Sequence, residues 1–189
     1  LLTFVGKLDY LPNVRAVAFI AERISPAIWL RYPGARFVII GQGTESVAEY
    51  RRKGLLFTGF VDARAGARPN LSDYLSASDV VLVPLDSGSG TRLKIVEAAA
   101  NARPVVSTHI GAEGQSFVDG QEILLTDEVD GAFVDAVLHL LDDPALAERL
   151  GRAARARVLA EYSWRSQVSK MEKIYAELVP ARPAEGAAN

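Results

Sequence analysis

Apolar and polar positions follow two rhythms along this chain. Short, mostly apolar runs recur at Leu1 to Val5, Phe37 to Ile40, Leu55 to Thr58, Val80 to Leu85, Val105 to Thr108 and Glu122 to Leu125. Their length and β-branching fit strands buried on both faces. Between them, apolar residues recur every three or four positions, as on one face of a helix. Val14, Val17, Ala21, Ile24 and Ile28 mark a helix from Pro12 to about Arg31, which Pro26 should kink or split. A short helix is predicted from Thr44, as its N-cap, to Arg52, and another over Leu71 to Ser76. Strong helix formers predict a helix over Thr91 to Ala102. Val129, Phe133, Val137 and Leu140 share a helical face. Further helices run from Pro144 to about Tyr162 and from Trp164 to Leu178. Residues 63–69 read as a loop, and the Ala/Pro/Gly-rich residues 180–189 as a disordered tail.

Strands alternating with helices predict one α/β domain over residues 1–179, a doubly wound, Rossmann-like parallel sheet with helices on both faces. Six strands in two halves suit the order 3-2-1-4-5-6. The crevice of such a sheet opens between strands one and four at their carboxyl ends. Gly6 and Lys7 should therefore meet the segment Ser87 to Lys94, about eighty residues later.

That segment follows a strand as a glycine loop, Ser87-Gly88-Ser89-Gly90, and feeds a helix. Free backbone N–H groups at a helix N-terminus suit an anion such as phosphate. Arg92 and Lys94 place two cations in the first turn, where they oppose the helix dipole. A bound anion would account for them. Residue types alone leave two readings open: a glycine turn with solvated cations, or a phosphate site. The loop lacks the G-K-[ST] ending of a P-loop and is not G-x-G-x-x-G.

Composition narrows the field. The 189 residues are 49% hydrophobic and 23% charged, with a net charge of −2, as in an ordinary globular domain. That balance offers no basic surface for nucleic acid. The absence of cysteine excludes thiolate catalysis, disulfides and cysteine metal sites. No apolar run nears the roughly 20 residues of a membrane span. The chain opens inside a strand, which suggests an excised domain, and a cytoplasmic location is expected.

The fragments F-V-G-K-L-D-Y-L-P-N, F-V-I-I-G-Q-G, F-T-G-F-V, S-D-V-V-L-V-P-L, G-T-R-L-K-I-V-E-A and R-P-V-V-S-T-H-I-G-A-E-G occur in that order. Together they resemble the C-terminal, nucleotide-sugar-binding domain of a family 4, or group 1, glycosyltransferase of the GT-B fold. The resemblance covers Leu2 to about Leu178 and implies retaining transfer without metal or cofactor. The donor would be a UDP-, GDP- or ADP-sugar. The acceptor would sit on an N-terminal domain outside this chain, which would also carry any peripheral membrane association. In this family two glutamates lie eight positions apart. The second matches Glu97, implied to accept hydrogen bonds from the ribose hydroxyls. The first position holds Ser89, so contacts to the sugar must pass to Ser89 or to backbone amides of Gly88, Gly90 and Thr91.

A second departure lies near the start. The family carries a basic pair five positions apart; Lys7 fills the first position and Pro12, followed by Asn13, the second. The P-N and G-T-R-L-K patterns mark a branch of the family. The resemblance implies that Lys7, Arg92 and Lys94 stabilise the diphosphate leaving group. Gln42, Gly59 and Phe60 would meet the nucleotide base, and Gly6 would touch the donor beside Lys7. Asp9 and Asp79 form no D-x-D metal pair. His109 reads as a loop histidine, and mid-helix His139 as structural. The last helix, with Trp164, Val168, Met171, Tyr175 and Leu178 on one stripe, is expected to dock on the N-terminal domain. Two alternatives stand beside this reading. One is a nucleotide-sugar-binding module without transfer activity, suggested by Ser89. The other is an NAD-dependent oxidoreductase, suggested by Gly41-Gln42-Gly43, which lacks the third glycine and follows the wrong strand.

Overall fold

The structure, a computed structural model, describes residues 1–62, 66 and 69–178. Its six strands are β1 (Leu2–Val5), β2 (Phe37–Ile40), β3 (Leu55–Gly59), β4 (Val80–Val83), β5 (Val105–Thr108) and β6 (Leu124–Thr126). All neighbours pair in parallel, in the order β3-β2-β1-β4-β5-β6. This is the doubly wound order expected from the strand–helix alternation. Every residue of β2, β4 and β5 is buried, because helices cover both faces of the sheet. β4 stops at Val83 because Pro84 has no N–H to give to the ladder.

The first helical stretch shows how one proline is accommodated. It comprises α1 (Leu11–Phe19), a π-helical turn (Ile20–Ile24) and α2 (Ser25–Arg31). Pro26 cannot donate to the preceding turn, and the chain widens just before it. The Ser25 N–H reaches back to the carbonyl of Ile20. The carbonyl of Ala21 takes the Ser25 hydroxyl at 3.2 Å and Arg52 Nη1 at 3.1 Å instead.

Two sequence expectations need correction. Thr44 is not an N-cap. The segment Thr44–Tyr50 is a 3₁₀ helix whose cap is Gly43, with φ of 86° and no side-chain capping bond. A side chain on Gly43 would approach the Asp9 backbone N to 2.9 Å, so the left-handed turn also lets two loops close together. Nor does the central helix begin at Thr91. α3 spans Leu71–Ser76, and the next helix, α4, is Leu93–Ala100. Thr91 and Arg92 belong to the loop before it, and Arg92 occupies the cap position.

Three helices complete the chain: α5 (Gly131–Asp142), α6 (Pro144–Arg157), continuing as a π-turn through Tyr162, and α7 (Trp164–Leu178). His139 lies on the exposed side of α5. α7 buries none of its residues; Trp164 is 88% exposed, and Val168, Met171, Tyr175 and Leu178 are exposed along the same stripe. Among the described residues, no helix is long and apolar enough to cross a membrane. Most of the predicted 63–69 loop and all of the predicted 180–189 tail lie outside the described residues.

One glycine tests how tightly α4 and α6 are locked. A methyl group on Gly151, inside α6, would sit 2.2 Å from the Ala102 carbonyl oxygen. Ala102 itself holds a φ of 54°, so that turn has little room to yield. In a free helix, alanine is favoured over glycine by about 1 kcal/mol. Overpacking against backbone costs typically about 1–3 kcal/mol. Gly151→Ala is therefore expected to lower the urea midpoint. A midpoint equal to or above wild type would show that the contact relaxes.

Candidate functional site

The sheet is split where the sequence placed its crevice. β1 pairs with β2 at all four of its residues but with β4 only at Leu2 and Thr3. Below the split, the hydroxyls of Thr3 and Ser78 bond to each other inside the core. Above it, two loops face each other: Gly6 to Tyr10 after β1, and Asp86 to Arg92 after β4. They are tied in several places. The Ser89 N–H donates to the Tyr10 hydroxyl at 3.3 Å. Arg15 on α1 forms an ion pair with Asp86. Gly88, with φ of 112°, packs so closely on Pro12 and Tyr10 that a side chain would touch both.

Arg92 gives the glycine loop its shape. Its side chain is only 5% exposed and turns back into the loop. Nη2 donates to the carbonyls of Gly88 at 2.8 Å and Ile110 at 3.2 Å, and Nη1 to Ser89 at 3.3 Å. Glu113 approaches the same guanidinium at 3.8 Å. Among the described residues, no acceptor meets the amides of Gly88, Gly90 or Thr91. These amides sit just before α4, where the helix dipole favours an anion.

Lys94 and Glu97 stand on the first turns of α4. The Lys94 ammonium donates to Asn13 Oδ1 at 2.9 Å and lies 4.4 Å from the centroid of the Phe4 ring. Part of the residue's stem remains open, but its charged end is enclosed. Burial, with Arg92 as a nearby like charge, lowers its pKa to about 7, and Glu97 opposes that shift. Glu97 is half-buried, and burial raises its carboxyl pKa while Lys94 pulls it down. Lys7 is more open, 3.4 Å from Asp9 at the rim.

On the other side of β1, a cleft of about 260 Å³ is lined by Gly6, Lys7, Gly41, Gln42, Phe60 and Leu71, among others. Gly59 ends β3 beside it with φ of 73°, and Phe60 is largely exposed at its mouth. The expected residues thus fall into two groups: Gly6, Lys7, Gly59 and Phe60 around this cleft, and Gly88, Ser89, Gly90, Thr91, Arg92, Lys94 and Glu97 across the split. His109 follows β5, with its Nε2 3.7 Å from Asp127. A larger cavity of about 750 Å³ opens at the amino-terminal edge of the sheet, around the Arg31–Asp142 ion pair and Arg103. It lies at the opposite end of the strands from the convergent cations. Sequence reasoning missed Tyr10, Asn13 and Phe4. The only signal was that Asn13 follows the place where the resemblance expects a lysine.

The buried ammonium makes a stability prediction. Between about pH 7 and pH 10.5 the unfolded chain holds the Lys94 proton and the folded chain does not. The unfolded state binds more protons there, so stability from this group rises with pH. Lys94→Met removes that dependence. Comparing urea unfolding of the two proteins from pH 7 to 9.5, wild type should gain on the variant by at most about 1.4 kcal/mol per pH unit. A constant difference would place the ammonium in solvent.

Known proteins resemble this chain in sequence and in fold. Glycogen synthase of Mycobacterium tuberculosis is 30% identical over 183 residues, which is 92% of this chain and 42% of that protein. Sucrose-phosphate synthase of Thermosynechococcus elongatus superposes with a TM-score of 0.72 at 25% identity, over 94% of this chain and 45% of that one. Anabaena Alr3699/HepE, solved with UDP and glucose, superposes with a TM-score of 0.71 at 15% identity, over 93% and 48%. The chain spans less than half the length of these relatives. The architecture is that of a GT-B glycosyltransferase domain. Residues 1–143 match the family Glycosyl transferases group 1, and the chain belongs to that family.

Proposed function

We propose that this chain is the donor half of a retaining glycosyltransferase and binds a nucleoside-diphosphate sugar with its own cations. The observation that carries this reading is the split between β1 and β4. There the unmet amides before α4, the enclosed Lys94 ammonium and the rim cation Lys7 come together around one break in the strand pairing. The cleft at Gln42 and Phe60 takes the nucleoside, the split takes the diphosphate, and Glu97 accepts from the ribose hydroxyls. A nucleoside-diphosphate donor is suggested by Anabaena Alr3699/HepE, which shares this fold and is solved with UDP and glucose.

In transfer, the bond from the anomeric carbon to the diphosphate breaks, and the leaving group takes the electron pair. Preorganised cations and amides lower the energy of that developing charge. Lys7, Lys94 and the loop amides serve directly. Arg92 serves by holding the loop carbonyls away from the phosphate. No cofactor is needed beyond the donor. The acceptor is held by a second domain, and the exposed stripe of α7 docks against it.

Three outcomes follow. In a calorimetric panel of UDP, GDP and ADP and their sugars, one nucleotide should bind, and Glu97→Ala should weaken it by about 1.5–3 kcal/mol. Equal affinities would remove Glu97 from the ribose. With labelled donor and candidate acceptors, the 189 residues alone should give slow donor hydrolysis at most, since no second domain brings an acceptor near. Robust transfer would overturn the half-enzyme assignment. Finally, Trp164→Ser and Tyr175→Ser should leave thermal unfolding of this domain within about 0.5 kcal/mol. A large loss would mean that the stripe packs at home.

A further inference from the structure

Asn13 is 7% exposed and spans the split. Its Nδ2 donates to the Lys7 carbonyl at 2.9 Å, and its Oδ1 accepts from the Lys94 ammonium at 2.9 Å. Gly6 makes room for it, since a Cβ there would lie 2.8 Å from the Asn13 amide. One side chain therefore joins the loop after β1 to the helix after β4, across the gap where the strands no longer pair. The same ammonium lies over the Phe4 ring, 4.4 Å from its centroid.

We propose that Asn13 is a positioning residue that seats the Lys94 ammonium for the donor's diphosphate, using an uncharged acceptor so that the positive charge stays available to the ligand. This rests on the donor-binding reading above. The amide's neutrality is the essential feature. A carboxylate here would pair with the ammonium and compete with phosphate for it. An apolar group would leave the ammonium with no hydrogen-bond acceptor on that side, favouring loss of its proton. The charged side chains that act on Lys94 are Arg92, in the loop before its helix, and Glu97, on that helix; Lys7 and Asp9 lie after β1, Arg15 on α1 and Asp86 after β4. Arg15 and Asp86 pair with each other, and Lys7 with Asp9. Arg92 and Glu97 exert opposing influences on Lys94.

Free Lys94 titrates at about 7, so a diphosphate arriving at neutral pH draws a proton onto it. Affinity is then highest below that value and falls as pH rises, by up to about tenfold per pH unit. The secondary ionisation of a terminal phosphate lies near 6, so titration from pH 7 to 9.5 isolates the lysine.

The test uses two substitutions of opposite electrostatic sign, Asn13→Asp and Asn13→Leu, with Lys94→Met as reference. Lysine side chains labelled with ¹³C at Cε report the Lys94 titration directly by NMR, and Lys94→Met assigns the resonance. Titration calorimetry with the nucleotide that binds best, in two buffers of different ionisation heat, reports affinity and proton uptake. Asn13→Asp should raise the Lys94 pKa and Asn13→Leu should lower it. Both should weaken the nucleotide at least fivefold at pH 7, and both should reduce proton uptake at pH 8. If the nucleotide binds wild type and both variants alike, or the Lys94 resonance ignores Asn13, the proposal is overturned while the donor reading stands. If no nucleotide binds wild type, the donor reading fails and takes the proposal with it, even where the resonance responds. If Asn13→Leu does not fold, the isosteric Asn13→Asp still decides: affinity that holds or rises as Lys94 becomes more fully charged overturns the role of neutrality.

Discussion

The organisation of this domain depends on a shortage of pairing. β1 gives β2 its whole length but gives β4 only Leu2 and Thr3. Two parallel strands that part company leave a wedge between them, and buried backbone there must be satisfied or kept wet. The chain fills the wedge with side chains from both halves of the fold. Phe4 comes from β1, Asn13 from α1, and Lys94 from α4. The helices on either side of a doubly wound sheet point their N-termini at this place, so polar groups and helix dipoles accumulate there as a consequence of topology.

The glycine loop shows how backbone shape and charge are coupled. Gly88 and Gly90 hold φ of 112° and 94°, values that reverse the chain sharply. That reversal brings the Gly88 and Ser89 carbonyls onto one guanidinium. α4 has no side-chain cap, and Arg92, at its cap position, binds the loop and not the helix. The helix starts later than its composition suggests because the residues before it are committed to the loop.

The fold was legible because its signals are local and repeated. Buried strands such as Val80–Val83 and Phe37–Ile40 stand out as apolar runs, and the doubly wound order follows from strand–helix alternation. The end of the sheet that bears the site was legible for the same reason. What escaped were features fixed by distant partners. Nothing in Asn13 announces that it will meet Lys94 at a separation of 81 residues. Arg92 looked like a phosphate contact because its type and place in the first turn suited one, whereas its direction depends on two glycine dihedrals. The cap at Gly43 depends on the nearness of Asp9. The π-turn before Pro26 was legible as a disturbance but not as a particular geometry, since a proline permits several.

Phe4 carries a consequence of its own. Its side chain is fully buried and belongs to the hydrophobic core, yet its ring face forms the floor beneath a charged group. Interior packing and the setting of the Lys94 ammonium are therefore not separable traits at this position. A substitution that filled the same volume with an aliphatic side chain would keep the core dense and still remove the π-electrons under the ammonium. With the ammonium on the donor as proposed, mutational drift that is silent for stability would be audible in function, and the tolerance usually granted to volume-conserving core changes would not extend to Phe4.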